Sequence, residues 1–188
     1  MATFRTSQPG FAVDPALPHL VLVGLPGAGK STIGRLAADR AKRAFLDFDT
    51  EIERRQGMPI SQIFAERGEP AFRRMEGELT QELLVTGGMI VAPGGGWITD
   101  PANVALLGEH ARLVWLKVKP EIALARIKKE GRARPLLMRP DPLAEIKKLL
   151  EQREALYARA QYLINTEMVS VEKAAERVAE LATGSGAA

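Results

Sequence analysis

One stretch constrains this chain more than any other: Gly24-Leu25-Pro26-Gly27-Ala28-Gly29-Lys30-Ser31, which fits the pattern G-x-x-x-x-G-K-[ST] at every fixed position. Its neighbours supply the context that the pattern needs. Ahead of it runs Leu20-Val21-Leu22-Val23, a short continuous apolar run that suits a strand buried on both faces. Behind it, residues 30–43 carry Ile33, Leu36, Ala37 and Ala41 at helical spacing. Strand, glycine-rich turn and helix together make a phosphate cradle. Glycines let successive backbone N–H groups turn inward on phosphate oxygens, and the helix N-terminus adds positive potential. Gly27, Ala28 and Gly29 supply the backbone, Lys30 reaches the β- and γ-phosphates, Ser31 is the ligand for Mg²⁺, and Thr32 completes the nucleotide-binding set.

The rest of the chain alternates strand and helix signals. Residues 44–48 and 89–92 read as the second and third strands, 112–118 as the fourth and 162–165 as the fifth. Between them fall helices at 59–67, stopped by Gly68, and at 69–85, stopped by Gly87-Gly88. Asp49 is expected to cap a helix carrying Ile52. Asp100-Pro101 and Asp141-Pro142 each pair a capping residue with proline at the first helical position, opening helices to Leu107 and to about Ala160. Pro120 to Glu130 and a last amphipathic helix capped by Ser170 complete the set. Such alternation predicts a parallel sheet with helices on both faces, whose ligands gather at the carboxyl ends of the strands.

Composition excludes more than it assigns. With no cysteine, disulfides, thiolate catalysis and cysteine-held metal are out. No apolar run approaches the roughly 20 residues that span a bilayer, and residues 1–18 lack the apolar core of a secretory signal. The expectation is therefore a cytoplasmic protein without a membrane partner. A net charge of +3 and 5% aromatic residues give no basic, aromatic face for nucleic acid.

Two carboxylates stand at the end of the second strand, in Leu46-Asp47-Phe48-Asp49. Strand alternation points both the same way. One suits Mg²⁺ through water; the other suits the hydroxyl of a phosphoryl acceptor, as hydrogen-bond acceptor or as base.

From these residues onward the chain resembles shikimate kinase. The resemblance starts with the phosphate loop and Ser31-Thr32-Ile33-Gly34-Arg35 behind it. Asp47-Phe48-Asp49, Ile52-Glu53, Ile63-Phe64, Gly68-Glu69 and Phe72-Arg73-Arg74-Met75-Glu76 continue it. Gly94-Gly95-Gly96, Arg134-Pro135-Leu136-Leu137 and Arg153 with Leu156-Tyr157 close it. It implies a P-loop kinase fold of the α/β class, three layers (α/β/α) around a five-stranded parallel sheet, with a mobile lid at about residues 126–140. The domain would span residues 19–183, between an arm at 1–18 and a flexible tail at 184–188. It further implies ATP and shikimate as partners, Mg²⁺ as cofactor, and phosphorylation of the 3-hydroxyl in aromatic amino-acid biosynthesis, by a monomer.

Each implied role can be matched to chemistry. Shikimate is a hydroxylated carboxylate, and Arg73 and Arg153 are its implied carboxylate partners, arginine being the residue that holds carboxylates bidentately. Glu76, three residues beyond Arg73, is close enough to orient it. Asp49 would take the ring hydroxyls and act catalytically with Lys30. Gly94, Gly95 and Gly96 would let bare backbone approach the ring. Arg134 would reach the transferred phosphate from the lid, with Arg132 as an alternative; Arg126 would lie over the adenine, and Ile164-Asn165-Thr166 would lead into its loop. Ser31 and Asp47 are the metal residues. Pro93 and Trp97 flank the glycines where the family is usually smaller or more polar; Trp97 either narrows the acceptor pocket or fills the core. Two rival readings are a kinase of a sugar acid such as gluconate, which Arg73, Arg153 and the lid motif oppose, and a ligand sensor, which the complete catalytic set opposes.

Overall fold

The structure, a computed structural model, describes residues 13–130 and 140–184. Five strands form one parallel sheet in the order β2-β3-β1-β4-β5, with β1 His19–Val23, β2 Phe45–Asp47, β3 Ile90–Ala92, β4 Ala111–Lys117 and β5 Tyr162–Asn165. β1 lies at the centre. Val21 pairs with Val91 on one side and Leu113 on the other, and all five β1 residues are buried. That double burial explains the unbroken apolar run, since neither face meets water.

Seven α-helices surround the sheet among the described residues: α1 Lys30–Ala41, α2 Phe48–Gln56, α3 Ile60–Leu83, α4 Pro101–Leu107, α5 Pro120–Glu130, α6 Pro142–Tyr157 and α7 Val171–Thr183. α1 packs on α7, α5 on α6, and α3 on both α2 and α4. The expected caps hold at three helices, where Asp100 accepts from the Ala102 N–H, Asp141 from Ala144 and Ser170 from Lys173.

Four expectations change. Asp49 does not cap α2; Asp47 does, its side chain accepting from the Thr50 N–H at 3.1 Å. β2 stops at Asp47 and Asp49 already lies within the first helical turn, so strand alternation does not relate the two carboxylates. The helices expected at 59–67 and 69–85 run into one element, kinked where Gly68 takes φ 74° and ψ 169°, two residues before Pro70. α6 ends at Tyr157 rather than near Ala160.

Residues 13–18, the described part of the arm, lie along the amino ends of the strands. The Gly88 N–H donates to the Leu17 carbonyl at 2.7 Å, and the nearly buried Arg43 guanidinium donates to that of Pro18 at 3.4 Å, with Asp14 as its nearby counter-charge. His19 is buried just above. Its Nδ1 accepts from the Met89 N–H, so the proton sits on Nε2, which donates to the Leu83 carbonyl at 3.0 Å. Burial lowers the histidine's pKa and keeps it a neutral core residue. Among the described residues no helix is long and apolar enough to cross a membrane. Residues 131–139, with Arg132, Arg134 and most of the expected lid, lie outside the described residues, as do 1–12 and 185–188.

Candidate active site

Four of the five strands end on a residue that the chemistry can use or that leads straight to one: Val23 into the phosphate loop, Asp47, Ala92 into the glycine triplet, and Asn165 beside Thr166. The parallel sheet gathers these ends on one side of the molecule.

The phosphate loop turns through Gly27 at φ 80° and Gly29 at φ 93°. At Gly27 a side chain is barred twice, by that conformation and by the Ala123 carbonyl oxygen where a Cβ would stand. Gly29 caps α1 without a side-chain bond, and no acid lies in the helix's first turn. The positive end of α1 is thus unopposed, as an anion site requires. Lys30 Nζ donates to the carbonyls of Gly24 and Leu25, both at 3.0 Å, which lays its ammonium along the loop. Ser31 and Thr32 are exposed at the mouth.

Beside the loop lies a cavity of about 350 Å³ lined by Gly29, Thr32, Arg126, Lys129, Thr166 and Val169. Arg126 is fixed across it, Nη1 donating to Thr166 Oγ1 at 3.0 Å and Nη2 to the Thr166 carbonyl at 2.7 Å. The two segments expected around a base, α5 and the end of β5, do come together here.

On the other side of the loop Arg73, Glu76, Asp49, Arg153 and the glycines converge. Arg73 on α3 donates from Nη1 to Glu76 Oε2 at 2.6 Å and from Nη2 to Glu69 Oε1 at 2.7 Å. Burial alone would lower its pKa, but the two glutamates raise it above the usual arginine value. Glu76 is wholly buried, and desolvation pushes its carboxyl up to about 7 in spite of Arg73. Its second oxygen faces the triplet: a Cβ on Gly94 would stand 2.6 Å from Glu76 Oε1 and 3.2 Å from Asp49 Oδ1. A Cβ on Gly96 would run into the Arg73 guanidinium. A side chain at either place would push Glu76 or Arg73 out of its present position, so glycine here keeps both side chains in place.

All three triplet carbonyls have partners. Gly94 O accepts from the Trp97 N–H at 3.1 Å, Gly95 O from Arg153 Nη1 at 2.7 Å, and Gly96 O from the Thr99 hydroxyl at 2.6 Å. A Cβ on Gly95 would come into ordinary contact with the Pro26 ring, so the triplet lies beside the phosphate loop. Trp97 is a core residue: 1% exposed, its indole N–H donates to Thr80 Oγ1 at 2.8 Å, and Thr80 in turn donates to the Glu76 carbonyl at 2.8 Å. It pins the triplet to α3 instead of narrowing a pocket.

Nearly every site residue expected from the sequence is therefore brought to one end of the sheet. Asp47 is at the strand end with one carboxylate oxygen committed to its cap; Arg134 lies outside the described residues. Thr80 and Tyr157 were not singled out for roles. Each lies four residues beyond a residue that was, Glu76 and Arg153, and that helical spacing was the available signal.

Comparison with known proteins matches the shikimate kinase family over residues 26–183. A shikimate kinase of Pelotomaculum thermopropionicum is 39% identical over 162 residues, 86% of this chain and 94% of the relative. One from Nitrobacter winogradskyi is 42% identical over 168 residues, 88% of this chain and 78% of the relative. Among solved structures, the shikimate kinase of Acinetobacter baumannii in complex with shikimate superposes with a TM-score of 0.83 at 35% identity, covering 93% of this chain and 97% of that one.

Proposed function

This chain belongs to the shikimate kinase family, and from that premise we propose how its residues divide the work of passing the γ-phosphoryl group of ATP to the 3-hydroxyl of shikimate. The products are shikimate 3-phosphate and ADP, on the route to chorismate and the aromatic amino acids. The observation that carries the assignment is the convergence of two guanidinium groups, Arg73 and Arg153, on the Gly94–Gly96 backbone beside Asp49. A carboxylate with ring hydroxyls needs that combination: cations at one end, and a carboxylate and backbone donors at the other.

Arg73 and Arg153 take the shikimate carboxylate. Glu69 and Glu76 hold Arg73 in place while it waits, and the Gly95 carbonyl does the same for Arg153. Gly94, Gly95 and Gly96 allow the ring to lie against main chain. Asp49 accepts from the ring hydroxyls and orients, or takes the proton of, the 3-hydroxyl. Across the site Gly27, Ala28, Gly29, Lys30, Ser31 and Thr32 bind the triphosphate, and Lys30 swings from the loop carbonyls onto the β- and γ-phosphates. Arg134, outside the described residues, would steady the charge on the transferred group.

Mg²⁺ fits the donors present. Ser31 and Asp47 offer only oxygen, and no group of three or more acidic or histidine side chains gathers among the described residues. A hard cation that keeps several waters and shares the phosphates suits so sparse a set. When bound it neutralises charge on the β- and γ-phosphate oxygens. We take residues 19–183 as the working domain, a monomer in the cytoplasm.

The test is ADP release from ATP and Mg²⁺ with and without shikimate, with gluconate as the control acceptor. Shikimate-dependent release at about 1–100 s⁻¹ is expected, the usual range for kinases. Nucleotide binding without stimulation by shikimate, or stimulation by gluconate instead, would overturn the acceptor assignment.

A further inference from the structure

Among the described residues three buried side-chain atoms have no hydrogen-bond partner: Glu76 Oε1, Arg153 Nε and Tyr157 Oη. Glu76 Oε1 already has a setting, facing Gly94 near Asp49. The other two are complementary. Arg153 Nε is a donor, the Tyr157 hydroxyl can accept, and the residues sit one helical turn apart on the same face of α6. Leaving either unmatched carries a desolvation cost, and native structures keep such costs mainly where a function uses them.

The Tyr157 ring cannot easily leave. It is wholly buried and stacks on Trp115 of the inner strand β4, with centroids 5.9 Å apart and planes 30° from parallel. Its hydroxyl is therefore held at a fixed place beneath Arg153. Burial raises the phenol's pKa, while the Arg153 charge and a side-chain interaction with Arg153 pull against that rise, which puts the two groups at the edge of hydrogen-bond reach but short of a well-formed bond.

We propose that the Tyr157 hydroxyl is a positioning group for the acceptor: it takes the Nε–H of Arg153 as the substrate carboxylate arrives, while Gly95 O holds Nη1. A guanidinium offers a carboxylate either its side-on edge, through Nε, or its end-on Nη1–Nη2 fork. With Nε occupied the side-on edge is closed and the end-on fork is the one presented. Tyr157 touches no substrate atom; it acts through Arg153. The proposal rests on the reading of Arg153 as a carboxylate partner.

The experiment is steady-state kinetics and thermal unfolding of Tyr157→Phe beside Arg153→Ala and the double variant. For Tyr157→Phe we expect the shikimate KM to rise about ten-fold or more, the effect of one hydrogen bond to a charged group, with kcat and the ATP KM within about two-fold and no loss of Tm. In the Arg153→Ala background the same change should add nothing. An unchanged shikimate KM in Tyr157→Phe, with Tm unchanged or raised, would overturn the proposal and leave the hydroxyl a packing remnant. So would a full effect that persists without Arg153. If Arg153→Ala itself leaves the shikimate KM alone, the acceptor reading has failed, not this step alone. A crystal structure with shikimate bound gives an independent check that needs no variant: Tyr157 Oη within about 3.2 Å of Arg153 Nε supports the proposal, and a separation beyond hydrogen-bond reach overturns it.

Discussion

The two halves of the proposed site offer different means of holding an anion. On the nucleotide side the cradle is main chain: an uncapped, acid-free helix N-terminus and a glycine loop, with one lysine laid along it. On the acceptor side the recognition is by side chains, and these are already tied down by Glu69, Glu76 and Gly95 O. A triphosphate carries enough charge to be caught by aligned N–H groups. A single carboxylate on a small ring is caught only if its cations are held in register, since free arginine side chains lose much of their binding energy to ordering. The nucleotide side can thus serve any acceptor, and choice of acceptor is written on the other.

This contrast can be broken most sharply at Lys30. Lys30→Ala is expected to reduce turnover to background, a loss of about 10³-fold at the upper range for one preorganised donor, with the fold intact by circular dichroism; normal turnover would remove the phosphate-loop assignment. Next comes Asp49→Asn, which should slow kcat by about 10²-fold or more if Asp49 serves as base; a few-fold drop would make it a binding residue only. Arg73→Ala should raise the shikimate KM at a cost of about 1.5–3 kcal/mol and leave ATP affinity alone. A parallel loss of ATP affinity would show that the two halves are not separable.

The remaining expected effect is in stability rather than activity. Because burial raises Glu76 to about 7, the folded chain keeps a proton that the unfolded chain loses near the ordinary glutamate value of 4.5. Folding stability should therefore fall as pH rises through that window, by at most about 1.4 kcal/mol per pH unit. Denaturant titrations of Glu76→Gln against the parent from pH 4 to 8 measure this slope as a difference. Equal slopes would mean that Glu76 titrates at the same pH in the folded and unfolded chain.

The nucleotide half was the more legible in the sequence, for the same reason that it is general. A main-chain cradle needs glycines at fixed offsets, and fixed offsets can be read. The acceptor half is assembled from α3, α6 and the turn after β3, far apart in the chain, and no local spacing announces that Arg73 and Arg153 meet. Family resemblance supplied that pairing. Local signals also misplaced a cap: Asp49 and Asp47 both suit one, and only the end of β2's pairing with β3 at Asp47–Ala92 settles which is used. Trp97 was ambiguous because an aromatic after a glycine turn can face either way. Thr80, 17 residues earlier on another element, decides it.

The chain has two tryptophans, and both stand under the acceptor half: Trp97 bonded to Thr80 below the glycine triplet, Trp115 stacked on the ring of Tyr157. Neither lines the cavity between Arg126 and Thr166. Intrinsic fluorescence is therefore a built-in reporter. Emission should respond when the acceptor draws on Arg153 and the triplet, and its response to nucleotide alone, felt through Trp115 beside Val23 at the start of the phosphate loop, is measured separately. Order of binding could then be followed in a stopped-flow cell without attaching a dye.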